Sequence, residues 1–218
     1  MWAGHAGQKF VCYPIKYGPE TGETLLNWIC DLKVGEAETP DREDWNRPGN
    51  REDFLPHNKE WEWEWLDVPR LIESSDGIYE FPMVDRDPLP QWTFGRTTLL
   101  GDAAHPMYPI GSNGATQAMI DARVIAFHLA TAPSPDEALA RYESERRPAT
   151  AKIVLTNRAN GPDQVMELAE QRAPNRGDDL DAAVPMKERR AIADDYKKIA
   201  GFDPMQLNDR KSYSATKS

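Results

Sequence analysis

The sequence has few of the features that mark secreted or membrane proteins. Two cysteines in 218 residues are too few for a disulfide framework or a metal-binding knuckle. We expect Cys12 and Cys30 to be reduced, buried thiols on strands. The longest apolar run, 124–130, contains a histidine and is far too short to cross a bilayer. The first residues lack the apolar core of a signal peptide. These absences predict a cytoplasmic protein that does not span a membrane.

Basic charge is also scarce. The chain has 26 Lys and Arg against 36 Asp and Glu, a net charge of −10, and no basic face stands out. Because binding to a phosphate backbone needs such a face, the sequence predicts no nucleic-acid partner. Seven Trp, seven Tyr and six Phe supply large core side chains, so the composition excludes wholesale disorder.

The first hundred residues carry mixed strand signals. Runs 8–15 and 24–32 are separated by a turn-rich link and predict an antiparallel pair. Residues 35–53 predict an ordered surface excursion anchored by Trp45. The alternating tryptophans at 61–65 leave strand or helix open, whereas a helix is predicted from Val68, behind an Asp67 cap. The run 78–84 predicts a further strand, with Pro82 marking an edge or a bulge.

After residue 100 a helical period dominates. The pattern predicts helices over 117–130, 136–147, 163–172 and 187–200. The second has a Ser134 cap, is interrupted or kinked at Pro148 and continues over 153–157. The chain end, from about Asn208, is expected to be loose.

Residues 97–122, TTLLGDAAHPMYPIGSNGATQAMIDA, lie between these halves. Thr97 to Leu100 predict a short buried strand, which breaks at Gly101-Asp102 into a loop rich in proline and glycine before a helix begins. Backbone N–H groups are free at a helix N-terminus, where the helix dipole favours negative charge. The stretch therefore predicts a backbone binding site for an electron-rich ligand.

The run GDAAHPMYPIGSNGATQAMIDA resembles the second flavin-binding motif of the FAD-dependent aromatic hydroxylases, which include salicylate and phenazine hydroxylases. The flanking runs FVCYPI, YEFPMVDRDPLPQWTFGR and YESERRPAT resemble the same family. The resemblance implies an α+β fold in four regions. These are a partial mixed or antiparallel substrate-binding sheet over 1–95, a strand–loop–helix flavin motif over 96–132, C-terminal helices over 133–207 and a loose tail over 208–218.

The resemblance also implies FAD as cofactor and NAD(P)H as reductant. Asp102 would accept a hydrogen bond from a ribityl hydroxyl, and Pro109 would lie beside the reactive part of the isoalloxazine ring, its carbonyl near the substrate. The N–H groups of Ala115 and Thr116 would face the N1/O2 edge, where reduced flavin is negative. The implied cofactor-binding residues are Gly101, Asp102, Pro109, Gly111, Asn113, Gly114, Ala115 and Thr116.

A small aromatic substrate is implied as well, with Tyr13, Trp28 and Tyr108 as candidate lining residues. The family's cofactor supplies the difficult step, so the protein's task is positioning and exclusion of water, and no catalytic side chain is assigned. His105 beside Asp102 suggests a base or a metal ligand, but no second ligand pair has supporting spacing, and no metal is predicted.

Four other polar residues are read as structural. His128 is predicted to pack between helices, and Asp121 to bond nearby backbone or the neighbourhood of Arg123. The pair Arg146-Arg147 is predicted to lie on a solvated helix face.

The family's first motif, G-x-G-x-x-G, is absent, since no G-x-G occurs anywhere in the chain. The sequence therefore resembles the C-terminal part of a hydroxylase, which alone is expected to bind FAD weakly or not at all. A missing N-terminal half would leave unpaired strand edges, which predicts self-association. The alternative is a non-catalytic remnant, or a binding partner of a separately encoded N-terminal half. An unrelated hydrolase is disfavoured because the sequence has no G-x-S-x-G elbow.

Overall fold

The computed structural model describes residues 2–5, 7–33, 45–81, 83–175, 177–209 and 212–214. The chain divides into two compact units, residues 1–82 and residues 83–218. The first unit contains strands β1 (Trp2–His5), β2 (Gln8–Tyr17), β3 (Thr24–Leu32) and β4 (Arg47–Pro48), helix α1 (Leu55–Asn58), strands β5 (Glu62–Trp63) and β6 (Leu66–Asp67), helix α2 (Val68–Glu73) and strand β7 (Tyr79–Glu80).

A three-stranded antiparallel sheet, ordered β1-β2-β3, organises the first unit. The register pairs Phe10 with Cys30 and Cys12 with Trp28, which brings these four side chains to one face of the sheet. That face packs against the buried Ile72 of α2 and its neighbours. The predicted antiparallel pair is confirmed. Both cysteines are thiols on strands, as predicted, although Cys30 is only half-buried.

Other predictions for this unit fare differently. Helix α2 begins at Val68, and the Asp67 carboxylate caps it by accepting from the Arg70 N–H at 2.9 Å, as predicted. The run 78–84 yields only the two-residue strand β7, paired with β4, and Pro82 lies outside the described residues. The prediction that Trp45 anchors an excursion is wrong, because 59% of that residue is exposed; residues 34–44 lie outside the described part of the chain.

The second unit is mostly helical. It contains strands β8 (Thr93–Phe94) and β9 (Thr97–Thr98), followed by helices α3 (Gly114–Thr131), α4 (Pro135–Arg158), α5 (Gln164–Arg172), α6 (Leu180–Ala183), α7 (Met186–Ala200) and α8 (Pro204–Asp209). The four long predicted helices are confirmed, but α4 is one helix that continues through Pro148. Its first turn is capped by Ser134, whose hydroxyl accepts from the Glu137 N–H at 3.2 Å. Every helix in the described ranges is too short or too polar to span a bilayer.

The strand before the central loop is shorter and more exposed than predicted. Only Thr97 and Thr98 are in β9, which pairs with β8 across a tight turn, and Leu100 is 42% exposed. The expectation of a buried strand over 97–100 is wrong, because the strand ends at Thr98 and both Thr97 and Leu100 are exposed. The core of the unit lies beside it, where the buried Trp92 and Tyr142 meet at a ring distance of 5.8 Å.

Candidate functional site

The loop from Gly101 to Asn113 joins the hairpin to α3 and begins with a tight 3₁₀ turn over Gly101–Ala103. Gly101 has φ +57°, and a Cβ there would lie 3.2 Å from the Cβ of Ala118, so both its conformation and its packing favour glycine. Asp102 follows it and is exposed. No hydrogen bond or ion pair joins its carboxylate to another residue in the described part of the chain, which leaves its oxygens available as acceptors.

Helix α3 begins without a side-chain cap. Asn113 occupies the N-cap position at φ −120°, ψ 2°, but its side chain makes no capping hydrogen bond. The N–H groups of Gly114, Ala115 and Thr116 therefore have no partner within the helix or from the cap. Beside Gly114 an added Cβ would make only ordinary van der Waals contact, with Met107 Cγ at 4.0 Å, and the next residue, Ala115, is exposed. The result is an uncapped, accessible helix N-terminus in an 18-residue helix.

The turn before that helix is held tightly. The Pro109 carbonyl accepts from the Ser112 N–H at 3.0 Å, and Gly111 and Ser112 both have positive φ, +75° and +51°. A Cβ on Gly111 would overlap the ring and hydroxyl of Tyr196 in α7. Glycine at 111 is thus required both by the left-handed backbone and by the aromatic ring packed against it.

The Tyr196 hydroxyl is the centre of a neutral network around this turn. It accepts from Asn113 Nδ2 at 2.5 Å and donates to Asn157 Oδ1 at 2.8 Å, with the Ile110 carbonyl as a second acceptor at 3.1 Å. Asn157 in turn donates to the Tyr108 carbonyl at 3.0 Å. Burial raises the pKa of Tyr196, against hydrogen bonds that lower it, so the phenol stays neutral. Helices α4 and α7 therefore both fix residues 108–113.

The Asp121 carboxylate is the centre of a charged network at the other end of the loop. It is fully buried and accepts from the Gly101 N–H at 3.0 Å and from Arg146 Nε at 2.7 Å, with His105 Nε2 2.6 Å away. Arg146 also donates to Gln117 Oε1 at 2.7 Å. Burial alone would raise the pKa of Asp121, but the hydrogen bonds from His105, Arg146 and Gly101 outweigh it and hold the pKa below its ordinary value.

Of the two sequence predictions for these residues, one is confirmed and one is wrong. Asp121 bonds nearby backbone, at Gly101, as predicted, and its charged partner is Arg146 and not Arg123. Arg146 is only 7% exposed and does not lie on a solvated face. The misreading has a physical cause, because nothing in the local spacing shows that α4 turns this arginine toward a carboxylate on α3. His128, by contrast, joins the same two helices as predicted, with Nε2 3.1 Å from Glu145.

His105 is part of the charged network around Asp121. Its ring lies 5.6 Å from that of Trp92, and its Nδ1 is buried without a hydrogen-bond partner in the described residues. Among those residues, no group of three or more His, Cys, Asp or Glu side chains could hold a metal ion. The contact that the structure does show for His105 is with Asp121, at 2.6 Å from Nε2.

Known proteins resemble this chain in sequence and in fold. Residues 66–157 match the family described as FAD binding domain. The chain is 46% identical over 151 residues to phenazine 1,6-dicarboxylic acid hydroxylase PhzS of Lysobacter antibioticus, covering 69% of this chain and 37% of that protein. It is 35% identical over 172 residues to 3-amino-4-hydroxybenzoate 2-monooxygenase PtnB3 of Streptomyces platensis, covering 78% and 40%. These matches support the FAD-dependent aromatic hydroxylase family.

A solved structure supports the same relationship at the level of fold. A salicylate hydroxylase substrate complex superposes with a TM-score of 0.62 and 25% sequence identity, covering 93% of this chain and 48% of that one. The predicted α+β class of the hydroxylase family is confirmed. The chain spans about two fifths of the length of the two hydroxylase relatives named above, at 37% and 40%.

The three candidate substrate-lining residues fall in both units. Tyr13 is 44% exposed on β2, and Tyr108 is half-buried in the loop. The ring of Trp28 stacks on Phe10 at 5.7 Å, and its Nε1–H donates to Ser75 Oγ at 2.7 Å, so Trp28 already contributes to the core of the first unit. A role toward substrate stays a prediction for all three.

Sequence reasoning missed the residues that hold the hydroxylase motif in shape. Tyr196 lies 83 positions beyond its partner Asn113, and Asn157 lies 49 positions beyond Tyr108. Such pairs leave no local spacing signal. For Asn157 the sequence does contain a signal. It lies one helical turn after the apolar Ile153 and Val154, and a polar side chain on such a buried face needs a hydrogen-bond partner.

Proposed function

We propose that this chain forms part of a monooxygenase that uses FAD and NAD(P)H to hydroxylate a small aromatic substrate. The observation that carries the proposal is the uncapped first turn of α3, with the carboxylate of Asp102, unpartnered among the described residues, at the start of the same loop. Similarity to the hydroxylase family supplies the chemistry that this pair of features would serve.

The residues fit a flavin. The open N–H groups of Ala115 and Thr116 would donate to the electron-rich N1/O2 edge of the ring, with the helix dipole favouring the negative charge of the reduced form. Asp102 would accept from a ribityl hydroxyl. Gly114, which has no Cβ, would let the ring approach the backbone, and Pro109 would border the substrate. The bound flavin supplies the reaction with oxygen, while these residues orient the ring and keep water from the reacting atoms.

A second polypeptide segment is part of the proposal. The sequence has no G-x-G-x-x-G loop for the FAD pyrophosphate, and the chain spans about two fifths of its hydroxylase relatives. We propose that an N-terminal half supplies this cradle, and that the chain alone binds FAD weakly. Reading the DNA upstream of Met1 in all three frames for a strand followed by G-x-G-x-x-G tests this. If no such segment is found, a non-catalytic remnant becomes the better explanation.

Self-association of the isolated chain follows from the same proposal. The sheet of the first unit exposes a set of large apolar side chains on β2 and β3, namely Tyr13, Ile15, Tyr17, Leu25, Leu26 and Ile29. Exposed apolar patches of this kind favour association in water. Light scattering at micromolar concentration should therefore show dimers or larger species, and a monodisperse monomer would contradict the expectation.

Flavin binding is the decisive experiment. FMN carries the ring and the ribityl chain but no adenosine half, so it probes only the part of the site that this chain supplies. Replacing Asp102 with Ala should weaken FMN binding by about tenfold, the effect of losing a charge-assisted hydrogen bond. Asp209→Ala, at the exposed end of α8, is the matched control with the same loss of charge and should leave the affinity unchanged. Equal affinities for the two variants would exclude the assigned role of Asp102.

A further inference from the structure

The N-cap of α3 differs from those of α2 and α4, whereas α5 and α7 also begin without a side-chain cap. Ser134 and Asp67 sit at N-caps in extended conformation, at φ −147°, ψ 158° and φ −112°, ψ 96°, and each side chain caps its helix. Asn113 is an equally good capping residue. Yet its ψ is 2° and its side chain does not cap. Something other than residue type keeps this helix end open.

The structure shows what holds Asn113 away. Its Nδ2 donates to the Tyr196 hydroxyl at 2.5 Å, and its Oδ1, the atom that would accept from the first-turn N–H groups, is buried without a partner in the described residues. Asn113 is 2% exposed and Tyr196 7% exposed, so this hydrogen bond is shielded from water. Tyr196 is held in turn by Asn157, which is fully buried.

We propose that Tyr196 is a positioning residue that keeps the first turn of α3 available to a ligand. By binding Asn113, its hydroxyl prevents this side chain from capping the N–H groups of Ala115 and Thr116. Tyr196 lies outside residues 66–157, the segment that matches the FAD binding domain family. The proposal rests on the proposed function only for the identity of the ligand, a flavin.

The proposal predicts an effect opposite to that of ordinary loosening. Tyr196→Phe keeps the ring against Gly111 but frees Asn113 to take up the extended conformation in which Ser134 and Asp67 cap their helices. The amide hydrogens of Ala115 and Thr116, followed by NMR in the ligand-free chain, should then exchange about tenfold more slowly, the effect of a good N-cap. FMN should bind about tenfold more weakly to this variant, because the same N–H groups are already occupied. A merely structural role for Tyr196 would instead leave exchange at these open amides unchanged, or speed it.

Removing the capping group should reverse the effect. In the double variant Tyr196→Phe with Asn113→Ala, no side chain can cap, so both the exchange rates and the FMN affinity should return close to those of the wild type. Tyr142→Phe is the matched control. It removes the hydroxyl of another buried tyrosine, which donates to the Leu99 carbonyl at 3.1 Å, and should leave exchange at Ala115 and Thr116 unchanged.

A second pair of variants leaves Tyr196 in place and serves if Tyr196→Phe does not fold. Asn113→Ser and Asn113→Ala both lose the amide that reaches Tyr196, but only serine can cap. We expect slower exchange and weaker FMN binding for serine relative to alanine. Equal exchange rates in this pair, or unchanged or faster exchange in Tyr196→Phe, would overturn the proposal. The exchange measurement needs no flavin, so it decides the positioning role even if the wild-type chain binds no FMN, a result that would count against the proposed function alone.

Discussion

The two ends of the loop that carries the flavin motif are held by opposite kinds of chemistry. At the Gly101 end, a buried carboxylate, Asp121, gathers donors from an arginine, a histidine and the backbone. At the Asn113 end, a neutral hydroxyl, Tyr196, links two amide side chains and a carbonyl. Both centres are buried, and both connect α3 or its N-cap to residues far along the chain.

The difference between a charged and a neutral centre predicts which changes destabilise each end of the loop. A buried charge that loses its partner leaves an uncompensated ion in a poorly solvated interior, which is strongly unfavourable. A neutral hydrogen bond that is lost leaves unsatisfied dipoles, which costs less and does not depend on pH. The Gly101 end should therefore be sensitive to charge removal and acid, and the Asn113 end to shape.

The largest effect is expected from Asp121→Ala. This change leaves Arg146 buried without its counter-ion, which should lower the free energy of unfolding of the second unit by about 3–5 kcal/mol. Guanidinium unfolding followed by helical circular dichroism measures it, because all the long described helices are in this unit. A loss below about 1 kcal/mol, the range of a surface pair, would show that the network carries no such dependence.

Gly111→Ala should have the next largest effect. The left-handed backbone costs an ordinary residue about 1–2 kcal/mol, and the added methyl overlaps the Tyr196 ring, which adds about 1–3 kcal/mol. Gly95→Ala separates the two causes, because Gly95 has φ +61° and nothing within 4 Å of an added Cβ. The same unfolding measurement should show a clearly smaller loss for Gly95→Ala. Equal losses would mean that Tyr196 yields freely to the new methyl.

Lowering the pH should also distinguish the two ends of the loop, through a smaller change in the free energy of unfolding. The folded pKa of Asp121 lies below its ordinary value, so the stability that it contributes is fully present above that ordinary value and is lost as the pH falls through the folded pKa. Unfolding curves collected from neutral pH downward should show the gap between wild type and Asp121→Asn closing in acid. The gap between wild type and Tyr196→Phe should stay constant over the same range. A gap for Tyr196→Phe that also closes would remove the distinction between the two centres.

The smallest effect is expected from Arg141→Gln. Arg141 pairs with Glu137 one turn away on α4, the helix that also carries Arg146, but both partners are exposed. Water and salt screen such a pair, so the loss in unfolding free energy should be about 0.5 kcal/mol or less. A loss close to that of Asp121→Ala would mean that burial of an ion pair does not determine how much it contributes to the free energy of unfolding.

Most of the secondary structure could be predicted because its signals are local. Helical periodicity, the Asp67 and Ser134 caps and the turn-linked strands β2 and β3 each depend on residues within a few positions. The failures involve long-range packing. Thr97 to Leu100 have the composition of a buried strand. Nothing in the local sequence shows that the strand stops at Thr98 and forms only a short hairpin.

The sequence predicts where the candidate site lies, but not which residues hold it in place. Residues 101–116 are conspicuous as a glycine-rich passage from strand to helix, and the uncapped helix start matches the expectation of free N–H groups. The partners that hold it, Arg146, Asn157 and Tyr196, come from α4 and α7. Their roles follow from how the helices pack, which a single sequence does not encode as a spacing.

Helix α4 contacts the two networks that hold the ends of the loop, through two side chains at a fixed spacing. Arg146, which reaches Asp121, and Asn157, which reaches Tyr196 and Tyr108, are separated by eleven residues, about three helical turns and about 17 Å, on one side of the helix. Inserting or deleting one residue between them would rotate one partner by about 100° relative to the other. The length of this segment thus sets the span of the loop, so its evolution can accept substitutions far more readily than changes in length.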